Sequence, residues 1–294
     1  MVKTLKLNNQ QFDKVIEFYR PYQINNANEY TSFRAKVGNT VITCYKTFTV
    51  AIQGLKASEI YTDISRLLNL KVEKESEKSI STNLNLSIIG TDEVGTGDVF
   101  GGIVVVACFV PKEQILNLKR LGVKDSKMLT DPAIIKLAPT LMKSLLYTYI
   151  YFDNSKYNSL YDPKNMNMNK IKAILHNKCI LKILEKKPNF DKIIIDGFTN
   201  KENYFRYLHD TEVFPDITLE QKGESKHIAI AAASIIARYI FLAYLNKISK
   251  ISGYTLLKGA STQASDLAKT IIQQRGEAFL SKIAKLNFKS VKKN

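Results

Sequence analysis

The chain has 294 residues, 45% of them apolar, enough for two domains of ordinary size. Lys and Arg number 43 against 27 Asp and Glu, a formal charge of +16, which suits either a polyanionic partner or a solvated lysine-rich surface; of polyanions nucleic acid fits better than lipid because no basic amphipathic helix with aromatic anchors stands out. The longest apolar run, Ile103 to Val110, is far too short to span a membrane; the opening MVKTLKLNNQ has no signal-peptide core; and three scattered cysteines, Cys44, Cys108 and Cys179, make no CxxC pair, which speaks against structural zinc and for buried thiols in a reducing cytoplasm.

In chain order, residues 10–19 place Phe12, Val15, Ile16 and Tyr19 at helical spacing, and Pro21 ends the helix. Residues 32–37, 40–45 and 47–53 read as short strands, with Gly38 and Asn39 as a hairpin turn. Helical spacing returns over 57–70 through Ile60, Ile64, Leu67 and Leu68. A first domain over 1–70 with the order helix, three strands, helix is therefore predicted. Residues 71–83, KVEKESEKSISTN, lack apolar periodicity and read as a linker. The second domain, 84–294, alternates predicted strands (86–89, 102–109, 146–152, 192–195, 212–219) with predicted helices (167–185, 228–246, 265–274). That pattern implies an α/β domain with a mixed sheet flanked by helices. The tail from residue 275 carries six basic residues and one acidic, suited either to nucleic acid or to solvent.

Four carboxylates sit where burial makes them costly. Asp92 and Glu93 close the run LSIIGTDE, and Asp196 closes KIIID. The C-terminal edge of a strand is where α/β sheets place ligands. Glu224 stands at the entrance to the Ala-rich run KGESKHIAIAAASIIAR, where the helix dipole alone would account for an isolated acid. Four acids converging would repel one another unless cations joined them, and hard oxygen donors with few histidines select magnesium or manganese. Two such ions suit in-line phosphoryl displacement.

Behind the first pair, Gly95, Gly97, Gly101 and Gly102 let another chain or a phosphate approach closely. The dinucleotide-binding reading of Gly95-Thr96-Gly97 fails because a β-branched run follows where a helix would be needed. Lys124, Ser126 and Lys127 (GVKDSKML) form a polar turn that is either solvated or phosphate-facing. Lys172 and His176 stand i, i+4 on one helix that begins near Asn167 (NMNMNKIKAILHN), read either as helix surface or as site.

Taken together and in this order, GTDEVGTGDVFGG, GVKDSKMLTD, NMNMNKIKAILHN, IIIDGF and KGESKHIAIAAASIIAR resemble the motifs of bacterial ribonuclease HIII, over about residues 86 to 274. The resemblance implies a ribonuclease-H-like catalytic domain. It also implies a TATA-binding-protein-like domain over 1–70, supported by the element order and by RAKVGNTVITCY. The implied activity is endonucleolytic cleavage of the RNA strand of RNA/DNA hybrids, leaving 5′-phosphate and 3′-hydroxyl ends. The acidic quartet is carried onto Asp92, Glu93, Asp196 and Glu224, holding two Mg2+ or Mn2+ ions. Expected substrate contacts are Gly95, Thr96 and Gly97, a backbone loop that probes ribose 2′-hydroxyls by similarity to ribonuclease HII, together with Lys124, Ser126, Lys127, Asn167, Lys172 and His176. A monomeric, cytoplasmic, membrane-free enzyme is expected. Val99 and Gly102 depart from the Tyr and Pro usual in the family, which leaves local packing and substrate contacts near Val99 open. Two alternatives stand beside this reading: incision at single embedded ribonucleotides in the manner of ribonuclease HII, and a non-catalytic nucleic-acid binder.

Overall fold

The structure, a computed structural model, describes residues 2–25, 28–54, 56–70, 85–288 and 291. The expected linker 71–83 lies outside the described residues, as do positions 289–290 and 292–294 of the basic tail. The chain divides into two compact units, Met1–Glu77 and Lys78–Asn294.

The first unit contains β1 (Val2–Lys6), α1 (Asn9–Tyr19), β2 (Thr31–Val37), β3 (Thr40–Tyr45), β4 (Thr49–Gln53) and α2 (Ala57–Leu67). The strands form one antiparallel sheet in the order β1-β4-β3-β2. The opening strand β1 corrects the expected order of helix, three strands, helix. Its alternation is short, with Leu5 buried between exposed Thr4 and Lys6, and pairing with β4 supplies what local pattern could not. A capping box between Asn8 and Gln11 starts α1. Phe12 and Val15 of α1 and Ile60 and Ile64 of α2 pack on the sheet face formed by Phe33, Ala35, Ile42, Cys44, Val50 and Ile52. The alternate residues of β2 to β4, among them Arg34, Lys36, Thr43, Tyr45 and Gln53, are partly or fully exposed.

The second unit contains β5 (Ile88–Val94), β6 (Ile103–Val110), α3 (Ile115–Arg120), α4 (Asp131–Ser144), β7 (Leu146–Phe152), α5 (Asn154–Leu160), α6 (Met168–Leu184), β8 (Lys192–Asp196), α7 (Lys201–Tyr207), β9 (Ile217–Glu220), α8 (Ile228–Ser252), α9 (Thr262–Arg275) and α10 (Glu277–Leu280). Its mixed sheet runs β7-β6-β5-β8-β9. β6 is antiparallel to both its neighbours, while β8 runs parallel to β5 and β9. One face packs against α8 with α3, α4 and α9, and the other against α5, α6 and α7.

Three differences from the sequence-based expectation have physical causes. The first strand reaches Val94, beyond the predicted end at Ile89, because pairing with β6 continues past the polar residues Thr91, Asp92 and Glu93. The predicted strand over 212–219 shortens to β9. Helix α4 went unpredicted because Pro132 and Pro139 interrupt its pattern. Pro132 falls in the first turn, where no backbone donor is needed, and Pro139 sits on the exposed side. Helix α8 has the length and composition of a membrane span, yet it is the most deeply packed helix of its layer; a helix apolar all round belongs in a core.

Close approach of α8 to β5 depends on Gly90. A Cβ built there would lie 2.4 Å from the Ala229 carbonyl carbon and from the Ile230 nitrogen, both backbone atoms. Gly90→Ala should therefore destabilise the second unit by roughly 1–3 kcal/mol, the usual cost of overpacking. Chemical denaturation checks this; an unchanged midpoint would mean that the helix can retreat freely.

Candidate active site

Side chains alternate along a strand, so the adjacent acids Asp92 and Glu93 point to opposite faces of the sheet. Asp92 shares the face of Ile88 and Gly90, toward α8, and Glu93 shares that of Ile89 and Thr91, toward α6. The parallel register aligns Thr91 with Ile195, and one step further along it sets Asp92 beside Asp196. Asp196 has the parity of Ile194, hence also the α8 face. Two acids thus close two neighbouring parallel strands on the same side.

Glu93 is held from α6. His176 Nε2 lies 2.9 Å from Glu93 Oε2, and its Nδ1 lies 2.7 Å from the Thr91 hydroxyl. Lys172 pairs with the other Glu93 oxygen, and its ammonium sits 4.2 Å from the centre of the Phe198 ring. Burial by itself would raise the Glu93 carboxyl; the His176 hydrogen bond and charge, then Lys172, bring it below its ordinary value. His176 is fully buried and Lys172 nearly so. The two expected substrate contacts on α6 instead orient a carboxylate from behind. Asn167, expected with them, caps α6 by accepting from Lys170 N at 3.0 Å.

The α8 side gathers the other three acids. Glu224 lies in a short turn, Gly223–Ser225, just ahead of α8, and is buried. Ser126 donates to Glu224 Oε2 at 3.1 Å, and Ser234 of α8 donates to the same oxygen at 3.2 Å. The two hydroxyls lie 2.8 Å apart. Lys127, its side chain four-fifths exposed, pairs with the second Glu224 oxygen; Glu224 raises its ammonium although desolvation works the other way. Asp196 Oδ1 accepts the Gly223 amide at 2.7 Å. Asp92 accepts the Glu93 amide at 2.7 Å and is also hydrogen-bonded to Ser234. Ser126 is thus a support for Glu224, buried away from solvent, whereas Lys124 is exposed.

Charge at this site does not balance. Glu93 has Lys172 and His176, and Glu224 has Lys127. Among the described residues no cation pairs directly with Asp92 or Asp196. Asp92 is accordingly pushed well above its usual range, first by burial, then by the charges of Glu93 and Asp196, with Glu224 adding to them. Asp196 is raised by burial and by Glu224, with the Gly223 amide opposing. Among the described residues no three or more His, Cys, Asp or Glu side chains are already drawn into a closed ligand cage. The donor set nevertheless suits a hard divalent ion: carboxylate oxygens, excess negative charge and no thiolate.

Gly95, Thr96 and Gly97 follow β5 directly. Gly95 has φ +103°, and a Cβ there would lie 2.2 Å from the Gly102 carbonyl oxygen, so only glycine fits. Gly97 is exposed, and an added Cβ would meet nothing within 4 Å, which leaves its backbone open to a ligand. Val99 is fully buried in the core, so its departure from the family pattern is a matter of packing. Gly102 lies against β7, where a Cβ would be 2.3 Å from the Phe152 carbonyl oxygen.

Sequence reasoning missed Ser234 and Arg238. Ser234 is the one hydroxyl in an Ala/Ile run, and that isolation was a usable signal. Arg238, one turn further along α8, donates to the Ser126 carbonyl at 2.6 Å, to the Leu129 carbonyl at 3.0 Å and to Asp131 at 2.6 Å, and so fixes the 126–131 segment.

The family described as Ribonuclease HII matches residues 89–291, and one described as a domain of unknown function (DUF3378) matches residues 3–77. Ribonuclease HIII of Streptococcus mutans serotype c is 38% identical over 292 residues, 98% of this chain and 96% of that one. The chain belongs to the ribonuclease HIII family. Ribonuclease HIII of Phytoplasma mali is 41% identical over 288 residues, 96% of this chain and 94% of that one. The crystal structure of Bst-RNase HIII in complex with Mn2+ matches with a TM-score of 0.69 at 34% identity, covering 99% of this chain and 97% of that one. As a ribonuclease HIII, the chain is an endonuclease of the ribonuclease H class, cleaving the RNA strand of RNA/DNA hybrids. Its mixed sheet flanked by helices is the ribonuclease-H-like fold.

The charge imbalance has a thermodynamic consequence for this ribonuclease HIII in metal-free buffer. The folded chain keeps a proton on Asp92 at pH values where the unfolded chain has released it. Stability therefore falls as pH rises from the ordinary carboxylate value of 3.8 through the folded value. Asp92→Asn should raise the Tm of the metal-free protein at neutral pH, with the gain shrinking toward pH 4. Thermal melts across pH check this, and a lower Tm for the variant at pH 7 would contradict it.

Proposed function

We propose that Asp92, Glu93, Asp196 and Glu224 form the catalytic quartet and hold two divalent ions, Mg2+ or Mn2+, for hydrolysis of the RNA strand, leaving 5′-phosphate and 3′-hydroxyl ends. The observation that carries this reading is the pair Asp92 and Asp196, side by side at the ends of parallel strands, buried and short of cations. When bound, the ions supply a water of lowered pKa and neutralise charge on the leaving oxygen. The chain's own residues hold their carboxylates still. His176 and Lys172 fix Glu93, Ser126 and Ser234 fix Glu224, and the Gly223 amide fixes Asp196. Asp92, buried and without a cation of its own among the described residues, would hold metal together with Asp196. No side chain serves as nucleophile; water attacks directly.

Substrate is met at the open rim. The backbone around Gly97 is accessible to a ribose 2′-hydroxyl, the group that separates RNA from DNA. Lys124, exposed, is available to phosphates, and Lys127, exposed but paired with Glu224, lies at the same rim. The unit over 1–70 offers a polar and basic sheet face with Arg34, Lys36 and Thr43, suited to gripping the hybrid, and 84–294 carries the chemistry. One of the Bst-RNase HIII structures that this chain resembles is a Mn2+ complex. The enzyme is proposed as a membrane-free, cytoplasmic monomer; α8, though long and apolar enough to span a membrane, is buried in the core of its unit.

Asp92→Asn should lower cleavage of a uniform hybrid by roughly a thousandfold or more, the scale of several kcal/mol of lost transition-state stabilisation. Hybrid binding should survive, and it should weaken steeply as salt rises, because Lys and Arg neutralise phosphates. Turnover with Mg2+ and Mn2+, together with binding at graded salt, tests both points. Undiminished cleavage by the variant refutes the assignment, and a flat salt profile refutes the account of the +16 charge. A duplex with one embedded ribonucleotide, run beside the uniform hybrid, separates this specificity from that of a ribonuclease HII.

A further inference from the structure

One basic residue of the tail lies neither on the surface nor against a carboxylate. Lys285 is completely buried. Its ammonium donates to the Asp98 carbonyl at 2.8 Å and to the Gly101 carbonyl. These carbonyls belong to the segment that follows Gly95, Thr96 and Gly97. The backbone joins the same two stretches: Lys285 N donates to Val99 O at 2.9 Å and Gly101 N to Ile283 O at 3.0 Å, around an antiparallel bridge between Phe100 and Ala284.

Other groups close the assembly. Asn154 Nδ2 donates to the Gly101 carbonyl at 2.9 Å. Asn158 donates to the Ser281 and Ala284 carbonyls, each at 2.8 Å, and accepts from Leu286 N at 3.0 Å. From the opposite direction, Gly259 N donates to Asp98 Oδ1 at 2.6 Å, and its carbonyl accepts from Val99 N at 3.0 Å. The loop is therefore pinned at residues 98, 99 and 101, while Gly97 stays exposed.

Burying an ammonium is costly; here burial brings Lys285 down to about 7, with Asp98 opposing. An apolar side chain of the same length would fill the space at lower cost but could not hold two carbonyls in place. The amino group has N–H donors for both carbonyls whether or not it carries the extra proton, and when protonated its hydrogen bonds are charge-assisted, the stronger class.

We propose that Lys285 is a positioning residue for RNA recognition: from inside the protein it locks the 98–101 segment, so that the adjoining Gly95 to Gly97 backbone is presented to the RNA strand in one conformation. This rests on the reading above, in which that backbone meets the 2′-hydroxyl. The C-terminal segment is thereby part of the substrate-recognition machinery, although Lys285 itself touches no nucleic acid.

The test uses the full chain with Lys285→Met, an unbranched side chain one atom shorter that removes the donors. Uniform hybrid cleavage is read as KM and kcat, and binding of hybrid and of all-DNA duplex is measured at several salt concentrations. KM for the hybrid should rise about tenfold, the scale of one charge-assisted hydrogen bond, with kcat within about twofold. Affinity for DNA duplex should stay within about twofold, so that discrimination for the hybrid shrinks. The salt slope should be unchanged, since loss of a phosphate contact would reduce it by about one. A folded variant with parental KM overturns the proposal, as does a salt slope lowered by one. Should Lys285→Met not fold, Asn154→Ala removes the other donor to the Gly101 carbonyl; a KM increase of a few-fold supports the proposal, and an unchanged KM overturns it. Failure of the catalytic reading looks different: the parent chain then binds hybrid but does not cut it with either ion, and the hybrid-versus-DNA binding comparison still decides the role of Lys285.

Discussion

Repulsion between carboxylates is the constraint around which the second unit is organised. Two acids on neighbouring strands, about 5 Å apart, repel by roughly 3 kcal/mol at an effective dielectric of 20. The fold sets Glu224 beside that pair and holds Glu93 on the opposite face, still close enough for its charge to act on Asp92. It answers the two outer acids with its own cations and leaves Asp92 and Asp196 with neutral donors. The protein has thus neutralised half of the quartet and left the centre to be completed by something positive. A site of this kind is stable enough to fold and still avid for divalent ions.

Helix α8 keeps that arrangement rigid. Its first turn presses on Gly90 of β5, Ser234 reaches Asp92 and Glu224, and Arg238 fastens the carbonyls of the 126–131 segment. Asp131 carries the linkage further by pairing with both Arg238 and Lys258, and Gly259 next to it holds Asp98. Contacts therefore run from the acidic pocket, through one helix, to the glycine loop at its rim. The 258–259 segment has its place here as a strap between two loops.

Among the described residues the Lys, Arg and His side chains divide into two groups. Most lie outside and supply the field that draws a polyanion. Lys172, His176 and Lys285 are turned inward and spend their donors on a carboxylate or on carbonyls. The spacing of the first two, i, i+4 on one helix, reads in the sequence as helix surface or as site, and the family resemblance implies substrate contacts. The helix in question is covered on that side by β5 and Phe198, and the same spacing becomes a clamp.

The sequence by itself determined the identities and order of the chemical groups: the four acids, the glycines behind the first two, the α/β alternation of the second domain and the excess of positive charge. These are local properties, legible because burial of an acid after an apolar run is costly wherever it occurs. The β1 strand, the proline-bearing α4 and the division of Asp92 and Glu93 between two faces were decided by tertiary structure. So were the inward turn of Ser126, Lys172, His176 and Lys285. The physical reason is the same in each case: a strand needs a partner, and a polar side chain takes whichever neighbour desolvates it at least cost. Those neighbours lie tens to hundreds of positions away, at Gln53, Glu93, Gly101 and Glu224, where only the folded chain brings them within hydrogen-bonding reach.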